Sequence, residues 1–222
     1  MSLDAVLKIG GSLTRGNGLQ SLCREISQLA PRYRLLIVPG GGEFADLVRD
    51  AYNRFNLDDT TAHNMALLAM DQVGFLLGER IAGSILTADL ASARSAAESG
   101  KTAILLPAVT IRQADPLPHS WQVTSDTISA WIARQTPCKR LVLLKDVDGL
   151  LAVNDSKEAI PELIPELTIE QLAQHSGGVD EYFSHFLATE PMEVWVVNGL
   201  HPDRLAELLG TDYTRGTRIR RS

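Results

Sequence analysis

Basic residues are in the minority in this chain. Lys and Arg number 21 against 27 Asp and Glu, a formal net charge of -6, which argues against a general nucleic-acid binder because such proteins favour basic surfaces. Aromatic residues make up only 5%, too few for a platform on which bases stack. Cysteine is scarce as well. Cys23 and Cys138 stand far apart, outside any metal-ligand spacing, and read as reduced thiols in the core or near the surface. No apolar run approaches the roughly 20 residues of a membrane span, and Lys8 and Gly10-Gly11 interrupt the one run near the N-terminus. A soluble, cytoplasmic protein with no signal peptide and no membrane partner is expected. A Walker loop is absent too, since no Gly-Lys-Ser/Thr follows a suitable glycine.

What is present is enough apolar material for a full core: 45% of the 222 residues are hydrophobic and 22% charged. Strand and helix patterns alternate almost throughout, which predicts an α/β sheet with helices on both faces. Strands are expected at Ala5–Ile9, Arg34–Val38, Ser84–Leu86, Thr102–Leu106, Arg140–Lys145, Glu193–Val197 and Thr217–Arg220. Helices are expected at Leu19–Ala30, Glu43–Phe55, Thr60–Glu79, Asp89–Ser99, Asp126–Thr136, Val179–Leu187 and Pro202–Leu209, the third capped by Thr60 or Thr61. Pro107–Pro118 and Pro161–Pro165 read as loops, with a polar turn at Asn154–Lys157, and the basic tail Arg215–Arg221 reads as a solvated final strand. A single domain is expected, residues 1–222, with two halves sharing one sheet and a boundary near residue 137.

Two glycine-rich turns end apolar strands: Lys8-Ile9-Gly10-Gly11-Ser12 and Val38-Pro39-Gly40-Gly41-Gly42. Each opens into a helical pattern, where glycine lets N–H groups crowd around an anion and the helix N-terminus adds its positive end. Lys8 adds a full charge to the first turn. Asp126, in Thr124-Ser125-Asp126-Thr127, is either the N-cap of its helix or a carboxylate that reaches inward to fix a lysine or a metal ion. Leu143-Leu144-Lys145-Asp146-Val147-Asp148-Gly149-Leu150 is either a solvated Asp-Gly turn or a set of charges at the carboxyl edge of the sheet, where open α/β folds bind ligands. His63, Asn64 and Asp71 either line an acceptor pocket or form a surface stripe, with Asn64 and Asp71 two helical turns apart on one face. His119, His175, His185 and His201 lack metal-ligand spacing and read as surface residues. Gly40-Gly41-Gly42-Glu43-Phe44-Ala45 satisfies the dinucleotide fingerprint, but Asp58 and Asp59 lead into a helix instead of ending a second strand.

Taken in order, Lys8-x-Gly10-Gly11-Ser12, Pro39-Gly40-Gly41-Gly42, Ser125-Asp126, Lys145-Asp146-Val147-Asp148-Gly149-Leu150 and Gly216-Thr217-x-Ile219 resemble the motifs of the amino acid kinase family along nearly the whole chain. The resemblance implies a three-layer αβα sandwich with a mainly parallel central sheet. It implies ATP and Mg²⁺, a small phosphorylated acceptor and a homo-oligomer. It assigns the transferring phosphoryl group to Lys8, Gly10, Gly11, Ser12, Gly40, Gly41 and Gly42, and the ordering of the cations to Asp126. By the same resemblance Lys145, Asp146, Asp148 and Gly149 would border the nucleotide, and no protein metal ligand is implied. Several members carry a second lysine in a glycine-rich segment of the C-terminal half; Ser176-Gly177-Gly178-Val179-Asp180 has none, and Lys145 is the candidate for that role. The stretches Thr61–Ala66, Ala69–Gln72, Val179–Phe183 and Val196–Arg204 resemble a branch whose acceptor is a phosphate monoester bearing an amine, which Asp71 would meet. Glu43-Phe44-Ala45 lacks the histidine of the isoprenoid-phosphorylating branch. Another branch, or a non-catalytic relative that binds nucleotide or oxoanions, is the alternative.

Overall fold

The computed structural model describes residues 2–16, 18–152 and 162–221. Its first half runs β1 (Ala5–Ile9), a 3-10 helix (Gly11–Arg15), α1 (Gly18–Leu29), β2 (Leu35–Pro39), α2 (Gly42–Phe55) and α3 (Asp59–Arg80). It continues through β3 (Ile85–Thr87), α4 (Leu90–Glu98), β4 (Ala103–Leu105), α5 (Pro107–Ala114) and α6 (Ser125–Gln135). The second half holds β5 (Leu141–Lys145), β6 (Glu166–Thr168), α7 (Ile169–Leu172), α8 (Phe183–Thr189), β7 (Val194–Asn198), α9 (Asp203–Thr211) and β8 (Thr217–Arg220). The strands form one eight-stranded sheet in the order β3-β4-β2-β1-β5-β7-β8-β6. Every pairing is parallel except that of β7 with β8.

The chain builds outward from β1 through β2 and β4, then returns to lay β5 on the other side of β1. This reversal makes the carboxyl ends of β1 and β5 a topological switch point, the place where open α/β sheets hold ligands. Strands before residue 137 form one side of the sheet and strands after it form the other.

Side chains alternate across a strand, and both faces of these strands are apolar because helices cover each. Ala5, Leu7 and Ile9 pack with Val142 and Leu144 against α1 and α9, through Leu22, Ile26, Leu205 and Leu208. Val6 packs on the opposite face with Leu141 and Leu143, against Ile128 and Ile132 of α6 and Phe183 and Leu187 of α8. Lys8 shares parity with Val6, and Lys145 with Leu141 and Leu143, so both lysines leave the sheet on the face that α6 covers.

Several local expectations are corrected. Residues 107–114 are helical, not loop: Pro107 occupies a first-turn position, where its missing N–H costs nothing. Asp58, not Thr60 or Thr61, caps α3, accepting the Thr61 N–H at 2.8 Å. The helix expected from Val179 begins only at Phe183. β6 and α7 are too short for their periodicity to show in the sequence. The basic tail is not a solvated strand. Thr217 and Ile219 are buried between β7 and β6, while Arg215, Arg218 and Arg220 pair with Asp148, Glu193 and Glu166. The polar turn expected at Asn154–Lys157 and the first residue of the Pro161–Pro165 loop lie outside the described residues. Cys23 and Cys138 are free thiols. Among the described residues no helix is long and apolar enough to cross a membrane.

Candidate active site

Parity brings Lys8 and Lys145 to one carboxylate. Lys8 Nζ stands 2.8 Å from Asp126 Oδ1, and Lys145 Nζ donates to Asp126 Oδ2 at 2.7 Å. Lys8 and Asp126 are only 4% and 3% exposed, whereas the Lys145 side chain reaches 16% and lies nearer solvent. Asp126 is not the N-cap of α6; Thr124 holds that position and leaves the Asp126 side chain to point inward. Burial alone would raise the Asp126 carboxyl, but the two lysines override it and hold it at about 2. Burial pushes the Lys8 ammonium below the ordinary lysine range, with the Lys145 charge adding to the shift and Asp126 opposing it. Two ammonium groups thus share one carboxylate, and a second acidic side chain, Asp180, is near enough for its charge to act on Lys8.

Asp180, to which the sequence assigns no role of its own, joins the site. It accepts from the Thr124 N–H and Oγ1 and the Thr127 N–H and Oγ1, at distances from 2.6 to 3.0 Å. Through these bonds it clamps the first turn of α6, the turn that carries Asp126. Burial raises its carboxyl, and the Asp126 charge adds to the rise. The sequence signals are its place just after Gly177-Gly178 and within Val179–Phe183, and neither points to this role.

The two glycine turns touch each other. A Cβ on Gly11 would lie 2.5 Å from Gly42 N and 2.6 Å from Gly42 Cα, and one on Gly40 would lie 2.8 Å from Gly11 N. Gly10 and Gly40 do not offer their N–H groups to a ligand, a correction to the expected donor set. They donate to Leu144 O and Ile9 O, each at 2.8 Å, which extends the sheet ladder by one rung. Gly11 and Ser12 open the 3-10 helix, and Gly41 stands at the N-cap of α2, which Gly42 begins. Helix geometry leaves such first-turn N–H groups without an intrahelical acceptor. Gly11→Ala must therefore push the turns apart. It should lower stability by about 1–3 kcal/mol and cut turnover at least tenfold, read by thermal unfolding and steady-state kinetics. Unchanged turnover would mean that the turns need not meet.

The turn after β5 is tied to its surroundings. Ser12 Oγ donates to Asp146 Oδ1 at 2.8 Å and joins this turn to the first glycine turn. Asp148 accepts from Asn198 at 2.9 Å and Arg204 at 2.6 Å and pairs with Arg215. The Asn198 hydrogen bond and Arg204 hold its carboxyl at about 2. Gly149 lets β8 approach, since a Cβ there would meet Thr217 Oγ1 at 2.5 Å.

Beside the triad lies an open cleft of about 100 Å³. Gly41, Thr124 and Ser125 belong to its wall and connect it to the glycine turns and the Asp126 helix. Ala66, Leu67, Met70 and Ile128 supply apolar surface, and His63 and Trp121 supply rings. The His63 ring stacks on His119, 4.4 Å between centroids at 17°, so His119 is a packing partner and not the surface residue expected. Burial, with the nearby His119, lowers the His63 pKa and favours a neutral ring. Asn64 and Asp71 stand outside the cleft wall. Asn64 Nδ2 donates to Thr60 O at 2.8 Å, and Asp71 accepts the Ala108 N–H at 3.1 Å, at the start of α5.

A buried triad of two lysines and a carboxylate at a sheet switch point, beside two glycine turns and a cleft, is suited to phosphoryl transfer. The model of the amino acid kinase family matches residues 5–194. Over 220 residues, spanning 96% of both chains, this chain is 31% identical to [5-(aminomethyl)furan-3-yl]methyl phosphate kinase of Methanocaldococcus jannaschii. Solved structures share the fold at low identity. UMP kinase from Ureaplasma parvum has a TM-score of 0.79 at 17% identity and covers 100% of each chain. Uridylate kinase from Archaeoglobus fulgidus gives 0.77 at 15%, covering 98% of this chain and 100% of that one. An isopentenyl phosphate kinase gives 0.67 at 18%, covering 97% and 99%. The chain belongs to the amino acid kinase family, and it is a phosphotransferase with that family's sandwich fold.

Proposed function

We propose that this enzyme uses ATP to phosphorylate [5-(aminomethyl)furan-3-yl]methyl phosphate to its diphosphate, a step of methanofuran biosynthesis. The observation that carries the reading is the 31% identity, sustained over 96% of both chains, to a kinase of that acceptor. The site's chemistry supports it. An acceptor phosphate oxygen is already ionised, so it needs no general base, and the described triad offers cations instead of a base. That oxygen forms a bond to the γ-phosphorus while the bond from the γ-phosphorus to the bridging oxygen breaks, releasing ADP. Lys8 and Lys145 would neutralise charge on the moving group, with N–H groups of Gly11, Ser12, Gly41 and Gly42 as further donors. Asp126 would hold the two ammonium groups apart from each other and aimed at the phosphoryl.

Asp146, Asp148 and Gly149 would border the nucleotide, in a half formed by residues 138–222, with acceptor and phosphoryl handled by residues 1–137. Both Asp126 oxygens face lysines, and the described residues contain no group of three His, Cys, Asp or Glu able to hold a metal ion. Mg²⁺ would thus reach the site on the ATP phosphates, its shell completed by water, and would offset their charge. Exposed Leu47, Leu68 and Phe75 on α2 and α3 support a homo-oligomer. A cytoplasmic location is part of the same proposal.

The test is ATP consumption with Mg²⁺ against the furan phosphate, UMP, isopentenyl phosphate, acetylglutamate and aspartate. Turnover confined to the furan phosphate is expected. Turnover of another member alone would move the enzyme to that branch, and nucleotide binding without any turnover would favour a storage or regulatory relative.

A further inference from the structure

The expected partner of an acceptor amine, Asp71, stands outside the cleft and takes the Ala108 N–H. One carboxylate does belong to the cleft wall: Asp59, the first residue of α3. The other acidic residues nearby are differently placed. Asp58 holds the Thr61 backbone and hydroxyl, Asp115 meets His119, and Asp46 pairs with Arg15. Asp59 has no cationic partner among the described residues. Its one hydrogen bond there comes from Tyr52 Oη, 2.9 Å from Oδ1.

That bond fixes the carboxylate to the ring wall. Tyr52 meets Trp121 edge-on, with centroids 5.8 Å apart at 73°, and the Arg49 guanidinium lies 4.6 Å from the Trp121 centroid. The cleft thus combines an exposed carboxylate at its rim, the Arg49 guanidinium, two ring walls and apolar floor residues, and it adjoins the Lys8–Asp126–Lys145 triad. A flat ring with a cationic arm turned to Asp59, away from Arg49, and a phosphate turned to the triad fits this lining.

On the reading of function above, we propose that Asp59 is the residue that selects an acceptor bearing an ammonium group, its carboxylate receiving that group while Trp121 and His63 flank the ring. Asp59→Asn keeps the shape and the Tyr52 contact but removes the charge, and hydrogen bonds to charged groups are stronger than neutral ones.

Initial rates should be compared for the aminomethylfuran phosphate and its hydroxymethyl analogue, in wild type, Asp59→Asn and Asp71→Asn, with thermal unfolding as the folding control. Wild type should prefer the amine, and Asp59→Asn should raise KM for the amine acceptor by about tenfold to a hundredfold. Its kcat should change little, and its KM for the hydroxymethyl analogue should stay put, so that discrimination is lost. Asp71→Asn should keep the discrimination. If wild type prefers the amine and Asp59→Asn still does, or if Asp71→Asn loses the preference instead, the assignment to Asp59 is overturned while the proposed reaction stands. If wild type turns over neither furan phosphate, the proposed reaction falls, and the assignment with it.

Discussion

Asp126→Asn should cost the enzyme both turnover and stability. The substitution keeps the shape of the side chain but leaves Lys8 and Lys145 facing a neutral amide at the distances they now hold from a carboxylate, 2.8 and 2.7 Å. Lys8 is buried, and removing one partner of a buried ion pair typically costs about 3–5 kcal/mol. Lys8 can escape part of that cost by giving up its proton, since burial already lowers its pKa. The escape is itself damaging, because a neutral Lys8 no longer offsets charge on a phosphoryl group. Removal of one preorganised transition-state stabiliser costs about 10²–10³ in kcat, and a loss in that range is expected together with a lower melting temperature. A kcat within threefold of wild type would show that Asp126 does not organise the cations.

The same carboxylate sets an acid limit. Its pKa in the folded protein, about 2, lies below the ordinary value of 3.8. The unfolded chain therefore takes up a proton first as pH falls. The stabilisation Asp126 provides is complete above about pH 4 and disappears as pH falls through about 2, a pH dependence that acid titration of the fold should find missing in Asp126→Asn.

Much of this site could be read from the chain because its parts sit on strands. Lys8 and Lys145 follow apolar runs whose alternation fixes the face each lysine takes, and glycine turns after such runs mark strand ends. Pairing across the sheet is another matter. Lys8 meets Asp126 because β5 returns beside β1 and α6 covers one face, and no local pattern encodes that return. Local pattern therefore leaves Asp126 open between cap and counter-ion, and in the fold Thr124 holds the cap. Gly10 and Gly40 misled for the opposite reason: their sequence is that of an anion loop, but the parallel ladder runs one residue further and claims their N–H groups. Asp71 and Asp59 show the limit most clearly. Both are acidic residues of α3, and which one faces a cleft depends on where α5 and the Ser120–Val123 stretch come to rest. Asp180 and His119 belong to the same class, residues whose partners are distant in sequence. The missed β6, α5 and α7 are short, and the prolines beside two of them read as breaks, although Pro107 in fact starts a helix.

Lys8→Met should separate the two losses that Asp126→Asn combines. Methionine fills a similar volume without charge, and Asp126 keeps Lys145 as a partner at 2.7 Å. Stability should fall by less than in Asp126→Asn, because one of the two ion pairs survives, while kcat falls by about 10²–10³ because a cation facing the transferring group is gone. A pH profile adds an independent reading of the same residue. With its pKa lowered from 10.5 by burial and by Lys145, Lys8 loses its proton at a lower pH than a surface lysine. Turnover should thus decline on the alkaline side before the ordinary lysine range is reached. Lys8→Arg keeps a charge that does not titrate in proteins, so whatever activity survives the bulkier guanidinium should lack that decline. If the alkaline limb is identical in Lys8→Arg, the titrating group is elsewhere. If Lys8→Met turns over normally, the buried triad is a structural ion cluster and the phosphoryl group is neutralised by other cations.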